Sequence, residues 1–551
     1  MAATMCFPFR FVLAQLAVLL FGSMALQPVR AQESLLSPAV ADRYVVVFRN
    51  GVSASDAVAR MRHSGAAQIT AQAHLGTASV SGSATAMRII GADPAVAQIF
   101  PDHRVYAHRV LRAATISAKD SGTIVVRPAA PLRSISVDPL APPSGTSTGS
   151  PSNAAGSISL PASNTNSSTP TPAPTDTFYE SSPQGWAVRA SGGYGQGMLG
   201  GTVAGPWNRS LGTGIRIAVL DSGVDSTHPD IAPNLGLNLS EIDRNAEWSP
   251  CDDGSPQDQE GHGTWVASLA AGAMGGATGR VVGVAPAATI LNIKVLQRMP
   301  GAGSTVAAQC QAGQASGLVS WLLKGIDDAV AQHADIIVLS LGSIVDLYTG
   351  DGAGLKSAFD QVTHAAANAG VLIVAAAGND GFDLSNPRYL ELPAQARDVL
   401  AVTASTNPDC QENNKTGATC TAGPITQPYY ANFGAPLHAV AAPGGNYPAG
   451  GDEAVSGWIR GACSSGKPGT ADGMPTDSTH SFGCFNLGHT QYVQAMGTSA
   501  SAGLAAGAAA LLRATHPAWT PAMVAAAMRS GPVSLPGGGV MLDTAAALNQ
   551  Q

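Results

Sequence analysis

Five short apolar runs, at 215–220, 289–296, 336–341, 371–376 and 399–404, constrain this chain most, because small-residue helical patterns such as 317–332 and 354–369 lie between them. A strand covered on both faces reads as an unbroken apolar run, as the strands of parallel sheets do. Alternation of such strands with helices predicts an α/β domain with a doubly wound, mostly parallel sheet across residues 178–551. Only 12% of the 551 residues are charged and 45% are hydrophobic, so the chain can bury a large core. The formal net charge of −7 leaves no basic footprint, and electrostatic nucleic-acid binding is excluded.

The composition changes three times upstream of that domain. Residues 11–26 form an uncharged apolar run after Arg10, and Pro28 and the small-residue pattern Val29-Arg30-Ala31 follow it. This reads as a secretory signal peptide, 1–31, although its length approaches that of a membrane span. No later run is long enough, so the expectation is a secreted protein, extracellular or periplasmic, with no membrane attachment once the signal is removed. Residues 42–110 carry strand formers at 43–48 and 77–81, a helix capped by Ser53, and a second helix near 86–90. The stretch 99–106 is expected to close this small α+β module as an edge strand. Residues 111–177, their later half rich in Ser, Thr, Pro, Ala and Gly, read as a linker open to proteolysis.

The cysteines fit export. Cys6 lies in the signal, which leaves Cys251, Cys310, Cys410, Cys420, Cys463 and Cys484. An even set in an exported chain predicts disulfides, though six cysteines allow about 15 pairings. The pair expected from one shared polar loop is Cys410–Cys420, with Cys463–Cys484 and Cys251–Cys310 as the remaining bridges. No Cys-x-x-Cys or His-x-x-x-His spacing supports zinc.

Four motifs carry the chemistry. Asp221, in Asp221-Ser222-Gly223, follows the run 215–220, at the strand end where open α/β sheets place ligands; it could equally cap a turn. His262 stands between glycines in Gly261-His262-Gly263-Thr264, at a helix start. Ser499, in Gly497-Thr498-Ser499, opens another helix. There a serine is either an N-cap or a nucleophile beside unpaired backbone N–H groups. Asn379, in Ala377-Gly378-Asn379, follows the run 371–376, and its amide could donate to the same oxyanion.

In the order Asp, His, Asn, Ser, these motifs resemble those of the subtilases, the subtilisin-like serine proteases. The resemblance runs from about residue 207 to 547 and includes His228-Pro229-Asp230, Gly283-Val284-Ala285-Pro286 and Ala441-Ala442-Pro443-Gly444. It implies a serine endopeptidase working through an acyl-enzyme. Ser499 would attack the scissile carbonyl, His262 would take its proton and Asp221 would orient the imidazole. Asn379 and the Ser499 backbone N–H would hold the oxyanion. Ser340, Leu341 and Gly342 match the family's substrate-binding strand, and 375–378, with Ala376, Ala377 and Gly378, its pocket wall. Those segments hold no acidic residue, so an apolar or broadly tolerant side chain is expected before the cut bond. Residues 42–110, between a signal and such a domain, resemble an inhibitor-type propeptide that Ser499 itself releases.

The implied partners are polypeptide substrates and the chain's own propeptide, and a monomer is expected. No cofactor is needed for the chemistry. Structural calcium is frequent in the family, and Asp252 with Asp253, or Asp380 with Asp383, offer carboxylates without defining a ligand set. The pattern also departs from the family's, with Trp265 after Gly-His-Gly-Thr and Ala500-Ser501-Ala502-Gly503 after Ser499. Two other functions use the same residues. A non-catalytic binding protein on this fold would not need all four of Asp221, His262, Asn379 and Ser499. An α/β-hydrolase esterase would need Gly-x-Ser-x-Gly and the order Ser, Asp, His, whereas Ser501 takes the last glycine's place and His262 comes first.

Overall fold

Alternation along the first strand divides its side chains between two cores. The computed structural model describes residues 39–108, 176–180, 185–191, 205–275, 279–410, 422–446, 457–473 and 483–550. The signal 1–31 and nearly all of the linker 111–177 lie outside them. Strands β1 (Arg43–Phe48), β2 (Gln68–Gln72), β3 (Thr77–Ser81) and β4 (Val96–Pro101) form an antiparallel sheet in the order β2-β3-β1-β4. Helices α1 (Ala54–Met61) and α2 (Ala84–Gly91) start where Ser53 and Ser83 accept from the backbone N–H three residues on. Val46 and Phe48 face these helices, with Ala57, Met61, Met87 and Ile90. Val45 and Val47 point the other way, as period two requires, into a core shared with Leu355, Phe359 and Val362 of the larger domain.

Polar contacts fix this docked face. Asp327 accepts from the His74 backbone N–H at 2.7 Å, Asp102 from the Ser320 N–H at 3.1 Å, and Gln361 donates to the Gly76 carbonyl at 3.1 Å. The chain then continues as β5, Arg104–Ala107, and leaves the module. This corrects the expected closure. β4 takes the edge of the module sheet, and β5 pairs with strands of the larger domain.

The larger domain is built on β6 (Arg216–Asp221), β7 (Leu235–Ser240), β8 (Thr289–Lys294), β9 (Gln297–Met299), β10 (Gln314–Leu318) and β11 (Ile336–Leu339). It continues through β12 (Leu341–Asp346), β13 (Leu372–Ala376), β14 (Tyr389–Leu392), β15 (Val399–Ser405) and β16 (Val440–Pro443). Eight strands make a parallel sheet in the order Val540–Met541, β16, β15, β13, β11, β6, β8, β7. Helices α3 (His262–Ala271) and α6 (Thr498–Thr515) lie in the core on one face, and α4 (Val319–Ala331) and α5 (Gly350–Asn368) in the core on the other. The expected run 336–341 breaks at Ser340. Beyond it β12 turns away from the parallel sheet and joins a second sheet, β14-β12-β5-β10-β9.

Candidate active site

The carboxyl ends of β6 and β13 and the starts of α3 and α6 converge on one point. Asp221 closes β6 and accepts from the Ser222 backbone N–H at 2.7 Å. Gly261, at φ 92°, turns the chain into α3, and a Cβ there would lie 2.5 Å from Cys463 Sγ. His262 opens that helix with Nδ1 2.7 Å from Asp221 Oδ1 and Nε2 2.9 Å from Ser499 Oγ. Ser499 lies in the first turn of α6, where backbone N–H groups have no helical partner. All three side chains are buried.

Asn379 is oriented by its neighbours. Its Oδ1 accepts from both the backbone N–H and the hydroxyl of Thr498 at 2.9 Å. An amide has only one oxygen, so Nδ2 faces the other way, into the cleft.

Charges behind His262 set its proton affinity. Burial opposes protonation of the imidazole, but Asp221, with Glu260 and Asp258 behind it, outweighs that effect and holds the pKa above the ordinary histidine value. Asp258 accepts from Gly261 N–H at 2.8 Å, Thr264 Oγ1 at 2.7 Å and Ser222 Oγ at 3.0 Å. Glu260 pairs with the buried Arg298, and Lys294 donates to Asp252 at 2.9 Å. Sequence reasoning missed this polar bed. Its signal was the run of acids from 252 to 260, just before Gly-His-Gly, in a chain otherwise poor in charge.

The disulfides bracket the same loop. Cys251 bonds Cys310 and Cys463 bonds Cys484, with Cα separations of 5.1 and 6.1 Å. The expected partner of Cys410, Cys420, lies outside the described residues. Among the described residues no group of three or more His, Cys, Asp or Glu is placed to hold a metal. Asp252 is engaged by Lys294, and Asp380 stands beside the cleft next to Asn432.

β5 lies in this cleft between two strands. Val105 stands opposite Gly317 of β10, and Ala107 and Tyr106 stand opposite Leu341 and Gly342 of β12. The His108 N–H donates to the Ser340 carbonyl at 3.1 Å. The His108 carbonyl oxygen accepts from Asn379 Nδ2 at 3.0 Å and lies 3.1 Å from Ser499 Oγ. Ser340, Leu341 and Gly342 thus run beside a peptide strand whose last carbonyl meets the serine.

The pocket around the His108 side chain differs from the expected one. Ala376 and Ala377 are buried in the hydrophobic cores on opposite faces of the parallel sheet. The lining includes Gly342, Ile344, Asn379, Asp380 and Glu391, with Gly378 at its back, where a Cβ would lie 3.0 Å from Glu391 Oε2. The segments read as its wall hold no acid, and β14, outside them, brings Glu391 into the lining. Burial, reinforced by Asp380, pushes the Glu391 carboxyl well above its ordinary pKa. Burial and the nearby His262 pull His108 down to about 3.

The subtilase family model matches residues 212–534. The chain is 36% identical over 199 residues to the major intracellular serine protease of Bacillus subtilis (strain 168), covering 36% of this chain and 53% of that protein. Against thermitase of Thermoactinomyces vulgaris it is 34% identical over 209 residues, covering 38% and 60%. The chain therefore spans about half to three-fifths of the length of these curated relatives. Among solved structures, the epidermin leader peptide processing serine protease of Staphylococcus aureus superposes with a TM-score of 0.57 at 16% identity, covering 92% of this chain and 99% of that one. Fervidolysin of Fervidobacterium pennivorans superposes at 0.54 and 18%, covering 94% and 64%. At such identities the superpositions speak for the fold alone. No helix among the described residues is long and apolar enough to cross a membrane.

Proposed function

The chain belongs to the subtilase family, and from that premise we propose that it is a secreted serine endopeptidase, made as a precursor that cuts itself between His108 and Arg109. One observation carries the reading. A strand of the chain lies in the cleft as a substrate would, and the His108 carbonyl oxygen rests within 3.1 Å of both Ser499 Oγ and Asn379 Nδ2.

The chemistry follows from the contacts. A serine hydroxyl is a weak nucleophile until a base takes its proton, and His262 Nε2 stands 2.9 Å from Ser499 Oγ. Asp221 fixes the tautomer in which Nδ1 carries hydrogen and stabilises the imidazolium that forms. As Oγ bonds to the carbonyl carbon of His108, negative charge collects on the oxygen that Asn379 already faces. His262 then protonates the departing nitrogen of Arg109, and water, activated by the same imidazole, hydrolyses the ester. Other polypeptides would enter by the same strand addition between β10 and β12.

In this reading, the inhibitor-type propeptide expected over 42–110 ends at His108, anchored through the core around Val45 and Val47, with the His108 carbonyl in the cleft. Cleavage removes the covalent tie while the docked surface remains, so inhibition persists until the module is digested. The test is mass spectrometry of the product from a host lacking other exported proteases. Wild type should yield one fragment ending at His108 and another starting at Arg109. The Ser499→Ala chain should stay joined across that bond. Trimming of that variant at the same bond overturns self-cleavage, and a first cut elsewhere in wild type overturns the assigned bond.

A further inference from the structure

We propose that the pocket receiving the side chain before the cut bond is built for a nitrogen base, with Glu391 as the residue that reads it, so that the enzyme cuts after His, Lys or Arg in preference to apolar residues. The inference rests on the self-cleavage reading above and names the substrate class of that site.

The geometry begins with two facing atoms. Glu391 Oε1 and His108 Nε2 lie 3.4 Å apart, with both side chains at least nine-tenths buried. Neither atom has a hydrogen-bond partner elsewhere. Buried polar atoms without partners are rare in native proteins, and here two stand opposite each other with room for one shared proton.

The carboxylate is held in place from behind. Asn432 Nδ2 reaches Glu391 Oε2 at 3.4 Å, and Gln395 Oε1 accepts from the Glu391 backbone N–H at 2.8 Å. Glu391 stands opposite Ile344 of β12, and β12 lies between β14 and β5. The side chain can reach His108 only past Gly342. A Cβ on Gly342 would sit against Glu391 Oε1 and 2.8 Å from His108 Nε2. The missing side chain is the opening through which the two groups meet.

Selectivity follows from what other side chains would leave behind. A Phe or Leu at this position would bury Glu391 Oε1 with no partner, the situation in which a polar site most strongly rejects an apolar substrate. A Lys or Arg would supply a cation to a carboxylate flanked by the second acid, Asp380. A remaining cavity of about 260 Å³ at the same lining leaves room for a side chain longer than imidazole.

Two experiments test this separately from the endopeptidase reading. The first measures kcat/KM of the processed enzyme on peptides differing only before the cut bond. His, Lys and Arg should exceed Phe and Leu by about 10²-fold, and Glu391→Gln should collapse the Arg-to-Phe ratio towards one. A wild-type preference for Phe, or a ratio that Glu391→Gln does not move, overturns the pocket assignment and leaves the endopeptidase standing. The second needs no turnover. In the full-length Ser499→Ala chain, thermal midpoints for His108→Phe and His108→Lys, each with and without Glu391→Gln, form a double-mutant cycle. Phe should lower the midpoint more than Lys only while Glu391 is present. Absence of coupling overturns the proposal, and coupling here beside a wild-type chain that cuts no peptide in the first experiment upholds the pocket while the endopeptidase reading falls.

Discussion

Asp221 and Glu391 are both buried carboxylates facing an imidazole, yet the two imidazoles behave oppositely. Asp221 contacts His262 at 2.7 Å and takes a second hydrogen bond from Ser222 N–H. Glu260 and Asp258 stand behind that pair, and His262 is raised above the ordinary value. Glu391 faces His108 at 3.4 Å without a hydrogen bond, with one longer bond from Asn432 and a like charge, Asp380, as neighbours. There burial dominates, and His108 falls to about 3. Burial alone therefore does not decide whether a carboxylate–imidazole pair is charged. The dipoles and charges around the acid decide it. The first arrangement suits a group that must take a proton during each turnover. The second suits a pocket that stays neutral until a base enters it.

The comparison is broken most severely at Asp221. Asp221→Asn keeps the shape but presents an amide where His262 needs an acceptor, which favours the wrong tautomer. A fall in kcat of about 10⁴-fold is expected, with KM nearly unchanged, in steady-state assays on one peptide. A fall of less than tenfold would mean that the 2.7 Å contact does not set the rate. Asn379→Ala should cost less. Losing one oxyanion donor lowers kcat by about 10²–10³-fold, a magnitude that comes from subtilisin itself. The loss should appear in kcat and not in KM, because the charge exists only beyond the ground state. A change confined to KM would make Asn379 a ground-state contact.

The two pairs also differ in how visible they are in the sequence. Asp221, His262 and Ser499 sit at ends of elements near a glycine or a helix start, a local pattern that left turn and cap roles open until the order Asp, His, Asn, Ser gave the resemblance. The five apolar runs likewise foretold central strands, with boundaries shifted by one or two residues except where Ser340 splits 336–341 into β11 and β12. Local pattern failed where pairing is decided by distant residues. Arg104–Ala107 has the alternation of any edge strand, and nothing within it says that β10 and β12, more than 200 residues later, will flank it. Glu391 was hidden for the same reason, since it comes from β14 and acts across Gly342. It left one trace, a lone carboxylate in Tyr389-Leu390-Glu391-Leu392, where a half-buried strand would ordinarily place an apolar or neutral residue.

The smallest expected effect is on stability, and it sharpens the contrast without any turnover. In the full-length Ser499→Ala chain, Glu391 faces His108 and lies near Asp380 through Asn432. Burial raises its carboxyl above the ordinary value, so the folded chain binds that proton more tightly than the unfolded chain, whose glutamate titrates near ~4.3. Its contribution is therefore full below that unfolded value and is lost as pH rises towards the folded one. Glutamine fills the same space and never ionises. Glu391→Gln should leave the thermal midpoint nearly unchanged at pH 4 and raise it progressively towards pH 8. His108 runs the other way, since its depressed pKa makes the native state lose stability as pH falls below about 6.5. The same scan on His108→Gln separates that arm. Asp380, also raised by burial, is separated by Asp380→Asn. A difference curve between parent and Glu391→Gln that stays flat from pH 4 to 8 would mean that Glu391 gives up its charge no more readily than a solvated glutamate, and the contrast with Asp221 would rest on distance alone.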